Sequence, residues 1–138
     1  MPSFQLPEEQ TVRVSADELL ARTARLLRAA GVPAEDAALA ADGLVSADLR
    51  GVDTHGVSNM LRWYLYMYRE KLMNPTPAWR VTRETPATAN IDSDGGLGLV
   101  VTPKAMALAI EKARAVGMGV VGRRRVVHPA PDRFQRAD

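Results

Sequence analysis

Asp53, Thr54 and His55 form a short polar run between Gly51 and Gly56, within DLRGVDTHGVSNM, residues 48–60. His55 is one of two histidines in the chain. An imidazole titrates near neutral pH and can give a proton to a carbonyl oxygen while hydride arrives at the carbon. Arg50 or Arg62 could hold a substrate carboxylate through a bidentate contact. The run precedes the start of a helix, where a charged imidazole is disfavoured. The same residues also suit a plain turn in which His55 is a surface or capping group, and spacing alone leaves both readings open. Asp48, Asp53 and His55 are too few for a metal site with supporting residues, so no metal is expected.

A second stretch, SDGGLG at residues 93–98, invites comparison with phosphate-binding loops. It matches neither G-x-G-x-x-G nor G-x-x-x-x-G-K-[ST], and Lys104 follows too far on. A tight turn needing positive φ is the reading it supports.

The elements that must position these residues change period along the chain. Ser15 and Glu18 form an S-x-x-E capping box, with Val14 and Leu19 as a hydrophobic staple. Leu19, Leu20, Thr23, Leu26 and Leu27 recur at helical spacing until Gly31. A second helix from about Pro33 to Gly51 carries an apolar stripe of Ala37, Ala38, Ala41, Leu44, Val45 and Leu49, with Gly43 allowing close approach of a neighbour. A third helix, SNMLRWYLYMYREKL, runs to the Asn74-Pro75 stop and is apolar nearly all round. That predicts burial on more than one side, in the core or at an interface, rather than a base-stacking platform.

From Trp79 the pattern alternates. Strands are expected at Trp79–Glu84 and Ala87–Asp92, a helix capped by Thr102 with Pro103 at its first position, and a buried strand at Met118–Gly122. The expected organisation is an N-terminal extension at 1–14, a helical segment at 15–74, the start of an α/β body at 75–122 and an irregular basic tail at 123–138. The fold class is therefore α/β (α+β). Val120 and Val121 would have few later elements to pair with them, which points to a truncated domain.

Composition restricts the function. The 138 residues suffice for one domain, and 46% apolar with 25% charged residues is ordinary for a globular protein. There is no cysteine, hence no disulfide, thiolate nucleophile or zinc-thiolate site. No apolar run approaches the roughly 20 residues of a membrane helix, and the N-terminus lacks a signal-peptide pattern, so a cytoplasmic protein is expected. The net charge is +2, with Arg123, Arg124, Arg125, Arg133 and Arg136 gathered at the end. Such a run is expected to be solvated, with nucleic-acid binding as a lesser alternative.

SADLRGVDTHGVSNMLRWY, KLMNPTP, RETPATANIDSDGGLG and AMALAIEKARAVGMGVVG, in that order, resemble the malate/L-lactate dehydrogenase family unrelated to Rossmann-type enzymes. The resemblance spans about Ser15 to Gly122. It implies NAD- or NADP-dependent interconversion of 2-oxo and 2-hydroxy acids in a homodimer, with helices packed on a non-Rossmann α/β body. It also implies an acid/base role for His55 and a relay through Ser46, as in the imine-reducing branch. Asn59 stands where many members have a carboxylate-binding Arg, so Arg50 or Arg62 would have to substitute.

A second family histidine corresponds to His128, but RRRVVHPAP departs from the family's R-N-S-x-H-F-G. That departure and the Arg/Pro-rich ending suggest a truncated or frameshifted gene. Most nicotinamide contacts are expected in a later part of the family fold, so their positions here are unknown and little or no dehydrogenase activity is expected of the chain alone. The rival reading is a non-catalytic interaction module dimerising through Trp63 and the tyrosines.

Overall fold

Ser15 opens the first helix, α1 (Ala16–Ala29), its hydroxyl accepting the Glu18 N–H at 3.5 Å. Only half of the capping box forms, because the Glu18 carboxylate turns forward to Arg22 Nε at 3.0 Å. The computed structural model describes residues 12–126, and further elements are α2 (Ala34–Leu49), α3 (Val57–Arg69), β1 (Arg80–Glu84), β2 (Thr88–Asp92), α4 (Gly98–Val116) and β3 (Val120–Arg124).

The first three helices end in the same way. In each, the N–H groups of the two residues after the C-cap fold back on carbonyls of the last turn, a Schellman motif. The bonds are Gly31 to Arg28 and Val32 to Leu27 after α1, then Gly51 to Asp48 and Val52 to Ala47 after α2. After α3 they are Lys71 to Tyr68 and Leu72 to Met67. Gly31 and Gly51 take the required positive φ, but Lys71 does so without being glycine, at φ 55°. This is why α3 stops at Arg69, short of the Leu72 end expected from Asn74-Pro75.

α1, α2 and α3 bury Leu27, Ala37, Ala40, Leu44, Leu61, Tyr64, Met67 and Tyr68 in one cluster. Each fully buried leucine contributes about 1.5–3 kcal/mol. The expected α2 stripe holds at Ala37, Ala41, Leu44 and Val45, whereas Ala38 and Leu49 face outward and Ala40 and Asp36 point in. α3 buries one face and half-buries Trp63, Leu65 and Tyr66, with Trp63 stacked on Tyr66 at 5.6 Å. Burial raises the pKa of Tyr64, and burial together with the Asp36 charge raises that of Tyr68, so both hydroxyls remain protonated.

The same cluster takes in Leu97 and Val100, so the helical segment and the α/β part share a core. Lys104 on α4 reaches across to Asp36 on α2 at 2.5 Å. Gly43 permits the approach foreseen for it: a Cβ there would lie 3.1 Å from the Leu99 side chain.

The sheet order is β1-β2-β3, with β1 antiparallel and β3 parallel to β2. The parallel pair needs a crossover, which α4 supplies. α4 begins well ahead of the expected Thr102 cap. Burial of Leu97, Val100 and Val101 fixes its first turn, leaving Pro103 inside the helix rather than at its first position. β3 is not a buried strand but a sheet edge, Val120 being 54% exposed. It also continues to Arg124, two residues into the run expected to be irregular.

Within the described part of that run, Arg124 and Arg125 are tied down. Arg124 contacts buried Asp92 at 3.1 Å, and Arg125 contacts Asp92 at 3.5 Å and Asp94 at 3.1 Å. The Asp94 backbone N–H donates to Asp92, and with Arg125 and Arg124 holds its carboxyl below its usual range. These contacts leave less of the basic run for a polyanion than a solvated tail would offer. Arg133, Arg136 and His128 lie outside the described residues.

Candidate functional site

Asp48 organises the stretch around His55. It sits in the last turn of α2, and its Oδ2 accepts the N–H of Val57, the first residue of α3, at 2.9 Å. It thus caps α3 from nine residues upstream, satisfying a donor that Gly56 cannot reach with a side chain. Gly56 makes room for this: a Cβ there would lie 1.6 Å from Asp48 Oδ1. Between the two helices the chain makes a 3-10 turn at Asp53–His55. Asn59 closes it by donating its side-chain N–H to the Asp53 carbonyl at 2.8 Å. The stretch is therefore a braced turn that also presents a histidine.

His55 is exposed, with Nδ1 hydrogen-bonded to Thr54 Oγ1 at 2.9 Å. With Nδ1 so committed, Nε2 is the nitrogen available to a substrate. His55 lines a cleft of about 780 Å³ between α2, the start of α4 and β3. Leu39, Leu97, Leu99 and Val121 give it apolar walls, Tyr64 adds a neutral hydroxyl, and Thr102, Asp42 and Arg123 add polar groups.

The remaining sequence-derived candidates are dispersed. Ser46 is half-buried beside Ala47, which lines the cleft, and the hydrogen-bond partner of the His55 ring is Thr54 instead. Arg50 is the exposed C-cap of α2. Arg62 lines a separate groove along α3 with Leu65, Tyr66 and Arg69. Asn59 has its amide engaged in bracing the turn.

Arg123 was not singled out by sequence, being one of three identical residues. Strand alternation is the signal that separates it. Val121 and Arg123 share a face and both line the cleft, while Arg124 reaches Asp92.

The SDGGLG stretch is the expected tight turn, with Asp94 at φ 50° and Gly95 at φ 71°. Its amides are already used: Asp94 N–H on Asp92, Gly95 N–H on the Arg125 carbonyl and Gly96 N–H on the Ser93 carbonyl. A dinucleotide pyrophosphate would need such donors free. This turn does not fit that group, and no cofactor-holding residue is assigned among those described.

Helices packed on a small mixed sheet, with a histidine opening onto a cleft at their junction, define an α/β protein of the non-Rossmann malate/lactate dehydrogenase-like architecture. The profile of the malate/L-lactate dehydrogenase family matches residues 14–131, past Gly122 and into the basic run. The chain belongs to that family. It is 44% identical to a malate dehydrogenase of Pyrococcus abyssi over 121 residues, covering 88% of this chain and 33% of that protein. It is 49% identical to an L-sulfolactate dehydrogenase of Methanocaldococcus jannaschii over 105 residues, covering 75% and 30%. The solved malate dehydrogenase of Pyrococcus horikoshii superposes with a TM-score of 0.86 at 44% identity, over 93% of this chain and 36% of that one. The chain thus spans about a third of the length of these relatives. No helix among the described residues is long and apolar enough to cross a membrane.

Proposed function

We propose that this chain carries the proton-transfer part of an NAD(P)-dependent oxidoreductase that interconverts 2-oxo and 2-hydroxy acids. The observation that carries the reading is His55 opening onto the cleft between the helices and the α/β part, in a chain matched by the family over residues 14–131. Members of the family use NAD(P) and act on small 2-oxo and 2-hydroxy acids.

In the reductive direction the His55 imidazolium keeps its Nδ1 proton on Thr54 and delivers its Nε2 proton to the substrate's carbonyl oxygen. In oxidation the neutral ring takes that proton back from the hydroxyl. Apolar walls reduce water around the reacting carbonyl and strengthen the hydrogen bond from the ring. A homodimer, as in the intact family, is part of the same proposal.

The test is to place residues 14–122 in the matching third of the full-length Pyrococcus abyssi relative and follow NADH or NADPH oxidation with a set of 2-oxo acids. The expected result is turnover that falls about 10²- to 10⁴-fold on His55→Gln. Turnover unchanged by that substitution refutes the assignment of His55.

A further inference from the structure

Besides His55, the charged groups on the cleft wall among the described residues are Arg123 and Asp42. Arg123 is anchored through Nη1, which donates to Thr102 Oγ1 in the first turns of α4. A guanidinium has five N–H donors in a rigid fork, so this bond leaves most of them for a ligand. Its sequence neighbours point elsewhere, Arg124 and Arg125 being held by Asp92 and Asp94. Meanwhile Arg62 lines another groove and the Asn59 amide is engaged with Asp53. The group in the cleft suited to a carboxylate is Arg123.

The charge balance restricts what else the ligand can carry. One carboxylate would be matched by Arg123. A second would find no further Arg or Lys among the described residues of the wall and would meet Asp42, while Leu39, Leu97, Leu99 and Val121 offer apolar surface. From this arrangement we infer that Arg123 is the carboxylate-binding residue of the cleft, and that the cleft selects a 2-oxo acid with one carboxylate and an apolar chain over a dicarboxylate. The inference rests on the reading of His55 as proton donor, and deepens it by naming the anchor and the substrate class.

A matched pair of ligands tests it: 2-oxopentanoate and 2-oxoglutarate have the same number of carbons and differ in a terminal methyl or carboxylate. The labelled 138-residue chain is titrated with each while the His55 ring signals are followed by NMR. The expected result is saturable shifts with 2-oxopentanoate binding at least about tenfold more tightly than 2-oxoglutarate. Arg123→Met weakens 2-oxopentanoate about 10- to 100-fold, as expected for loss of a charged hydrogen-bonded contact, and Arg123→Lys falls between the two. Asp42→Asn narrows the gap between the two acids.

Undiminished binding to Arg123→Met, with the His55 shifts retained, overturns the anchor and leaves the His55 reading standing. Equal binding of the two acids overturns the selectivity. No His55 shift with either acid overturns both readings. The amide spectrum of each variant establishes that it is folded, and Arg123→Lys keeps the charge should Arg123→Met disturb the strand.

Discussion

Gly56→Ala offers a sharp test of how the turn is built. Gly56 has φ −83° and ψ −175°, extended backbone open to any residue, so a methyl group causes no backbone strain there. Considered alone, the change would stabilise by about 0.4–1 kcal/mol through a less flexible unfolded chain. The obstacle is Asp48, whose Oδ1 would lie 1.6 Å from the new Cβ and whose Cγ would lie 2.5 Å away. Asp48 must swing aside, and the Val57 N–H loses its 2.9 Å bond. A lost N-terminal cap costs about 0.5–2 kcal/mol. Gly56→Ala should therefore be destabilising by up to about 1.5 kcal/mol in the native background.

In an Asp48→Ala background the cap is already gone and the oxygens are absent. Gly56→Ala should then be neutral or stabilising, giving a coupling between the two sites of about 0.5–2 kcal/mol. Urea denaturation of the four proteins, followed by tryptophan fluorescence, measures all corners of the cycle; Trp63 reports from α3 itself. An equal cost of Gly56→Ala in both backgrounds would refute the proposed coupling.

Two further outcomes follow from other parts of the fold. Lys71→Gly should raise stability by roughly 0.5–1 kcal/mol, since Lys71 occupies the left-handed position of a Schellman motif at φ 55°, and an unchanged urea midpoint would speak against that strain. Asp92 is held below its usual value of 3.8 by the Asp94 N–H, Arg125 and Arg124, so its contribution is present above that value and drains away as pH falls through its folded value. Asp92→Asn should be less stable than the native chain at pH 7, and the gap should narrow as pH falls below 3.8, whereas a gap that stays constant on acidification would contradict the linkage.

What was legible in sequence was mostly local. Ser15 just before α1 and Gly31 two residues past its end bound that helix, and Gly43 among alanines announced a close helix contact. The α4 start was hidden because Gly98 to Val101 has no helical signature of its own. Burial of Leu97, Val100 and Val101 makes it helical, and Pro103 then drew attention to the wrong position. The α3 end was hidden because a lysine does what glycine usually does. At the site, His55 stood out by residue type. Asp48 did not, since a cap nine residues away follows no short motif, and Arg123 was lost among identical neighbours.

Three adjacent arginines carry no positional information of their own. Sliding β3 by one residue would exchange Arg123 and Arg124 while leaving the local charge unchanged. One feature that separates the alternatives is Gly122, opposite Asn90, where a Cβ would lie 2.6 Å from the Asn90 side-chain oxygen and would force that side chain to turn. A slip in either direction would set Val121 or Arg123 in that gap. The missing side chain at position 122 therefore acts as a spelling mark: together with Val121 on the cleft face and Asp92 holding Arg124, it favours one of three interchangeable letters for the cleft and leaves two for the aspartates.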